Sequence, residues 1–491
     1  MRVFSACLLI GLAIAAQCTA GTAGATLVPL EPVMEGGKPQ SRTTPDGARQ
    51  APVLQHLAAG PMATSLASEA RTGATAFILE LDALAQRIAG NTQPTPTYLF
   101  LSQEEGGFPR QGFWLQLREG KPQWHADPYV DLIVDAGSIK DGSFEEIFAH
   151  ESGHVLLRRL LPNLPAGYSR NRHASQAVTD YPTAFDEGFA THFQAVARLL
   201  TRNPQLRSQD AGTSFKPFLP YWRDHIDRNL RTRGVRDNLF VQRQLPWPAN
   251  PASDNPDATT LFDPTQLKNG QQMMASEGVI ATLFYHLMAE PAGNPAQLHA
   301  RYEELFLALK ALSGTTLKPD SPVFLRVARQ VIEQTPSLRS RWLQTIVGIT
   351  YGATVERNLP RQTEALALSG REGAEQFIEQ LAAIRKSLAA LTREVERNPE
   401  RLTAALGPEI WVAADPSGPP VNLNTAERDT LVLLLKLDPT TAERALQSRR
   451  SQSPFASIED FAARAGLSGA RVMQFTAAAR AISEAGPVSR Q

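Results

Sequence analysis

Residues 150–154 read His150-Glu151-Ser152-Gly153-His154, and this short pattern constrains the chain more than any other stretch. Side chains at i and i+4 of a helix stand on one face a turn apart. Both imidazoles can therefore reach one metal ion while Glu151 stands beside its open position. The geometry works only if a helix runs unbroken through the pattern, and the flanks supply one. Phe144, Ile147, Phe148, Leu156 and Leu160 fall at the spacing of an apolar helix face. Ser143 with Glu146 reads as a capping box at its start and Pro162 as its stop, so a long, half-buried helix is expected. The bland alternative is a pair of ordinary helix histidines.

Two histidines leave a zinc site of the open, three-ligand type one protein ligand short. The best-placed acid downstream is Glu187, in Phe185-Asp186-Glu187-Gly188-Phe189-Ala190-Thr191-His192-Phe193. It could equally cap a helix or pair with a base. Asp186 and His192 are rivals within the segment and Glu277 is a more distant one. Asp186 better suits an acceptor that orients a ligating imidazole through its far nitrogen.

At this point the sequence resembles the gluzincin class of zinc metallopeptidases, in which an HExxH helix is completed by a glutamate in an EGxA-like segment of a second helix. The resemblance covers roughly residues 80–290. It implies one Zn2+ per chain held by His150, His154 and Glu187. Glu151 would be the general base for attack of a zinc-activated water on a peptide carbonyl. It also implies an oxyanion-stabilising Tyr or His, for which Tyr181, Tyr221, His225, Tyr285 and His286 are candidates. Tyr285 and His286 lie in an apolar helical stretch that suits core packing instead. A metzincin would need a histidine where Leu160 stands.

The amino terminus has the plan of a secretory signal peptide over residues 1–25. Met1-Arg2 precedes an uncharged apolar run from Val3 to Ala16, then Ala23-Gly24-Ala25. Export is expected, to the periplasm or outside the cell. No later stretch reaches about 18 uninterrupted apolar residues, so no membrane span is expected in the mature chain. Gln17 before Cys18 argues against a lipoprotein site. Cys7 and Cys18 both lie in this leader, which removes disulfides and cysteine ligands from the mature protein. The 49 basic and 49 acidic residues balance, so no polyanionic partner is demanded.

The expected fold class is α+β: a zincin-like small sheet with the metal-binding helix, a mostly helical second lobe and a small all-α C-terminal domain. Residues 26–74 are poor in large apolar residues and read as a loose segment. A metallopeptidase domain is expected over 75–290 and a helical domain over 291–415. Ala76–Ile88 reads as a helix, and Thr97–Leu101, Phe113–Leu117 and Tyr129–Val134 read as strands. A free edge of such a sheet could pair with an extended peptide or protein substrate. Polar, Pro-rich sequence over 163–180 and 203–270 reads as surface loops. Phe377, Leu381, Ile384, Leu388, Leu391 and Val395 repeat as a heptad seam, which fits an intramolecular hairpin better than a dimerising coiled coil.

Beyond Pro416-Ser417-Gly418-Pro419-Pro420, read as a linker over 416–420, the chain changes character. Val421–Ala426, Leu431–Leu437, Ala442–Leu446, Arg449-Arg450 and Pro454–Phe461 together resemble the helix-hairpin-helix domain of ComEA-type DNA-uptake proteins; the resemblance covers about residues 418–485, with the domain expected over 421–485. That resemblance implies DNA contact at Lys436, Arg444, Arg449 and Arg450. The hairpin itself, Lys436–Thr441, lacks the glycine that phosphate approach uses and carries Asp438, which favours a structural or protein-contact role. Two function classes follow. One is an exported zinc metallopeptidase. The other is a non-catalytic binding protein whose C-terminal domain contacts DNA or an envelope partner while the zincin-like part is a scaffold.

Overall fold

The computed structural model describes residues 25–103, 106–118, 120–169, 173–212, 228–244, 262–290, 294–357 and 388–486, with 382, 384 and 386. The chain is mixed α+β, with a small barrel-like sheet and a helical C-terminal region. The expected leader, Tyr221, His225, Phe377 and Leu381 lie outside the described residues.

Residues expected to be loose build half of the sheet. β1 (Leu27–Pro32), β2 (Ser41–Thr43) and β3 (Gln50–His56) precede α1 (Pro61–Glu69) and α2 (Gly73–Ala89). β4 (Thr97–Leu101), β5 (Phe108–Leu115) and β6 (Gln123–Leu132) follow. The strand order is β1-β4-β6-β5-β3-β2, and β1 also pairs with β3. Five strands thus close into a ring, with Leu27–Leu30 opposite Thr97–Phe100 on one side of β1 and Leu30–Pro32 opposite Leu54–His56 on the other. Leu30, Leu54, Tyr98, Phe113, Leu115 and Tyr129 fill it. Closure removes the long free edge on which addition of a peptide strand depended. The segment hid its strands because each buries few side chains: Leu30 and Pro32 in β1, Ala51, Val53 and Leu54 in β3, and none in β2. β5 and β6 likewise begin earlier than their apolar runs do: the exposed Arg110 and Gln111 of β5 pair with Tyr129 and Pro128, and β6 starts at Gln123 opposite Leu115.

α3 (Ser143–Leu160) carries the histidine box and α4 (Tyr181–Leu200) its downstream partner. α5 (Glu277–Met288), α6 (Pro295–Leu312), α7 (Val323–Gln334) and α8 (Arg339–Ile349) pack around them. The apolar face expected of α3 is there, with Phe144, Phe148, Leu156 and Leu160 buried. The helix is central, however, not half-buried: Glu145, Glu146, Glu151, Ser152 and His154 are buried too. Each polar group on it then needs a partner. Glu146 receives Arg198 of α4 through two guanidinium nitrogens, the second at 3.1 Å. Arg159 reaches Asp82 of α2 at 2.9 Å and Asp127 of β6 at 3.8 Å. The capping box expected of Ser143 and Glu146 is therefore absent. Gly142, at φ 81°, caps the helix, and Ser143 is its first residue.

One continuous core runs from Leu66 to Leu402, so the segments expected as separate domains over 75–290 and 291–415 share an interior. Ile384, Leu388 and Val395 of the heptad seam are buried in it, which turns the seam toward the chain itself. The last unit has its own core, from Ile410 to Phe475. The stretch expected as a linker is the turn of a hairpin. β7 (Trp411–Val412) pairs with β8 (Val421–Asn422), and Asp415 accepts from Ser417 between them. α9 (Arg428–Leu433), α10 (Pro439–Ser451), α11 (Ile458–Ala465) and α12 (Gly469–Ala485) complete it. Gln271 and Gln272 donate to the carbonyls of Pro408 and Thr425 and fasten this unit to the body. No described helix is long and apolar enough to cross a membrane.

Arg198→Met should lower stability by about 3–5 kcal/mol, because Glu146 would be left buried and unpaired. Arg329→Met, which removes an exposed pair with Glu400, should cost under about 1 kcal/mol in the same urea titrations. A second measurement concerns Glu145. Burial pushes its carboxyl up to about 7, helped by the charge of nearby Glu69. A raised folded value means its contribution is intact below the ordinary 4.5 and lost as pH rises through about 7. Glu145→Gln should flatten the decline of Tm across that window.

Candidate metal centre

Three helices meet closely enough to bring the histidine box to its partners, and glycines set the distance. A Cβ on Gly153 would stand 2.8 Å from Ala190 Cα and 2.9 Å from Phe193. One on Gly188 would stand 2.6 Å from Ile280 Cβ and 2.8 Å from the Glu277 carbonyl. Gly278 is equally tight, 2.3 Å from the Ser175 carbonyl. Each of these glycines follows or precedes a site residue in sequence, so α3 touches α4, α4 touches α5, and the loop before α4 touches α5 at one place.

His150, His154 and Glu187 come together there, with one ligand atom of each within 4.8 Å of the others. Nε2 of His150 and Nε2 of His154 each stand 3.6 Å from Glu187 Oε2. That is too long for a hydrogen bond. It is close to the separation of about 3.4 Å between ligand atoms sharing a tetrahedral zinc at about 2.1 Å. Glu187 Oε2 is buried and has no hydrogen-bond partner among the described residues. The donor set, the spacing and this orphaned oxygen all fit a divalent metal. His154 Nδ1–H donates to Asp186 Oδ1 at 2.9 Å, which leaves Nε2 to face the gap. Glu151 is buried on the same helix between the two histidines.

The remaining candidates are elsewhere. His192 is fully buried, its Nδ1–H given to the Phe189 carbonyl and its Nε2 accepting from Tyr302 at 2.9 Å. Burial pushes its imidazole down to about 3. Tyr181 lies beside Glu409, Tyr285 packs in the core, and His286 pairs with Glu290 and donates to the Arg236 carbonyl.

Glu277, named as a distant rival, does reach the site, and it comes with a residue the sequence reading missed. His173 Nδ1 stands 3.4 Å from both Glu187 Oε2 and Glu277 Oε2. It lies in the stretch expected as a surface loop, whose later part is buried where Val178 bridges to Ser276 and Thr179 donates to the Ala275 carbonyl. Nothing in the spacing of His173 announces this. Glu277-Gly278, by contrast, repeats the Glu187-Gly188 pair at another buried helix, a signal available in the sequence.

Charges compensate throughout. Burial pushes Glu187 up, but His154, His150 and His173 outweigh it and hold the carboxyl well below the usual range. Burial pushes His154 down, and Asp186 and Glu187 outweigh that in turn. The hydrogen bond to Glu277 leads in raising His173 to about 9.

In the C-terminal unit the residues expected to touch DNA are largely turned inward. Arg449 Nη1 donates to the carbonyls of Leu423 and Ala426, both at 2.8 Å, and Arg444 Nη1 to that of Ala465 at 3.0 Å. Arg450 pairs with Glu443 at 3.7 Å. Lys436 occupies the hairpin at φ 56°.

Residues 421–483 match the family described as Type II secretion system (T2SS), protein K. No curated protein and no solved structure matches the chain. The match corrects the ComEA-type reading of this segment. It also overturns the expectation of a gluzincin-type hydrolase, with the peptidase activity and the role of Glu151 as base that it implied, because the family it matches is described as a component of a secretion system.

Gly153→Ala should destabilise the fold by about 1–3 kcal/mol in urea titration, since the new methyl meets Ala190 backbone. Gly348→Ala, in α8 with open space around it, should stabilise by about 0.5–1 kcal/mol instead.

Proposed function

We propose that the chain is a non-catalytic binding protein of the cell envelope. Residues 421–483 contact a protein partner within a secretion assembly, and the sheet-backed helices are a zincin-like scaffold that holds zinc. The observation that carries the reading is the match of the C-terminal unit to a secretion-system component. Its side chains agree with a protein partner. Arg444 and Arg449 are spent on internal carbonyls, so little of the basic character is left for tracking a phosphate backbone. Apolar side chains are presented outward instead, Met473 of α12 at 69% exposure and Leu433 of α9 at 39%. Delivery to the envelope would fall to the apolar run Val3–Ala16.

His150, His154 and Glu187 would hold the zinc, with Asp186 fixing the His154 ring. When bound, the ion supplies a cross-link between α3 and α4 and neutralises a buried carboxylate. The protein residues do the positioning: Gly153 lets α3 approach α4, and the Asp186 carboxylate keeps the His154 proton on Nδ1.

Two measurements test this. Full-length protein should co-purify with envelope secretion proteins after cross-linking, and Met473→Asp should reduce capture several-fold while zinc content is unchanged. Unaltered capture in that variant and in Leu433→Asp would count against the surface, and a salt-sensitive gel shift with DNA would count against the partner class. Wild-type protein should retain zinc through dialysis, His150→Ala should not, and chelation should lower Tm.

A further inference from the structure

The first metal position leaves half of its surroundings unexplained. Glu277 is almost wholly buried at the start of α5, and one of its oxygens is already fixed: Oε1 accepts from Ser175 Oγ at 3.1 Å and Thr191 Oγ1 at 2.9 Å. Those two hydroxyls, from a loop and from α4, aim Oε2 at His173 Nδ1, 3.4 Å away. The same nitrogen is 3.4 Å from Glu187 Oε2. His173, Glu187 and Glu277 form a second group whose ligand atoms lie within 4.8 Å of one another, and it shares Glu187 with the first.

We infer that this is a two-metal centre, in which Glu187 bridges one divalent ion held by His150 and His154 and a second held by His173 and Glu277. The inference rests on the metal reading above and extends it. Three features support it. The shared oxygen, Glu187 Oε2, is buried and lacks a hydrogen-bond partner, as expected of an atom reserved for metal. His173 Nδ1 stands 3.4 Å from Glu187 Oε2 and makes a long 3.4 Å hydrogen bond to Glu277 Oε2, and both separations are close to the edge of about 3.4 Å between ligands on one ion at about 2.1 Å. Three carboxylates, Asp186, Glu187 and Glu277, converge on His150, His154 and His173, so acidic oxygens and imidazole nitrogens alternate across both groups as a paired donor set would require.

The two positions differ in character. The first is enclosed by helices and rich in nitrogen. The second has one imidazole and two carboxylates, and the His173 side chain is 56% exposed, so this ion faces solvent and would complete its shell with water. An oxygen-rich, partly hydrated site accepts Mn2+ as well as Zn2+ and should exchange faster than its neighbour. Ions bridged by one carboxylate would stand about 3.5–4 Å apart.

The test is metal stoichiometry of the full-length chain after equilibration with excess Zn2+, together with the electron paramagnetic resonance of the Mn2+-loaded protein. Wild type should bind two equivalents of zinc, and Mn2+ should show exchange coupling between paired ions. His173→Ala and Glu277→Gln should each bind one, with the Mn2+ coupling lost and Tm close to wild type for the exposed His173 variant. One equivalent in wild type, unchanged in His173→Ala, would show that His173 is only an imidazolium between two carboxylates and overturn the second site. No zinc at all would overturn the first site as well, so the two failures are distinguishable.

Discussion

The close contact of α3 with α4 at Gly153 decides where everything at the centre of this protein can be. Helices bearing larger side chains at their crossing stand about 8–10 Å apart. Here Gly153 lies directly against the backbone of Ala190, and Gly188 against α5 repeats the device one helix further on. Helices brought this near can join side chains from three of them, and from a loop, around a gap a few ångströms wide. His150 and His154 come from one helix, Asp186 and Glu187 from the next, and Glu277 from the third.

A site assembled from polar groups inside a core needs a rigid frame, because each displaced ligand would leave a buried charge behind. The frame is electrostatic at both ends of α3. Near its start, Glu146 is locked to Arg198 of α4; near its end, Arg159 is locked to Asp82 of α2, which also accepts from Gln86 and Thr97. The second set ties the helix to the sheet through Asp127 of β6. The closed strand ring therefore serves the site as a fixed support and not as an open platform for a peptide.

How much of this the sequence disclosed depends on the range of the interaction. The helix through His150 and His154 was legible because its periodicity is local, and the Glu-Gly segment at 187 was legible because it repeats a recognisable local pattern. Long-range closure was not. The strand Leu27–Pro32 acquires its meaning from pairing with residues 97–100, and the position of His173 from a bridge between Val178 and Ser276. The capping reading of Ser143 and Glu146 failed for a related reason: a partner 52 positions away, Arg198, outcompeted a local one. Motif resemblance failed differently. A box of five residues specifies a donor set, and donor sets recur in molecules with different tasks.

The C-terminal unit shows the same distinction between residue type and residue use. Counted as charges, Arg444, Arg449 and Arg450 resemble a nucleic-acid surface. In the fold, Arg449 closes the carbonyls of the turn at Leu423–Ala426, Arg444 that of Ala465 at the end of α11, and Arg471 that of Leu435 in the hairpin. Arginine suits this work because its planar fork satisfies several carbonyls at once. Asn424 adds three bonds of the same kind, to Pro408 and to both backbone groups of Phe455. A unit this small gains much of its definition from such staples. A basic residue used as a staple cannot also track phosphates, so in this unit the arginine side chains serve the fold's own backbone.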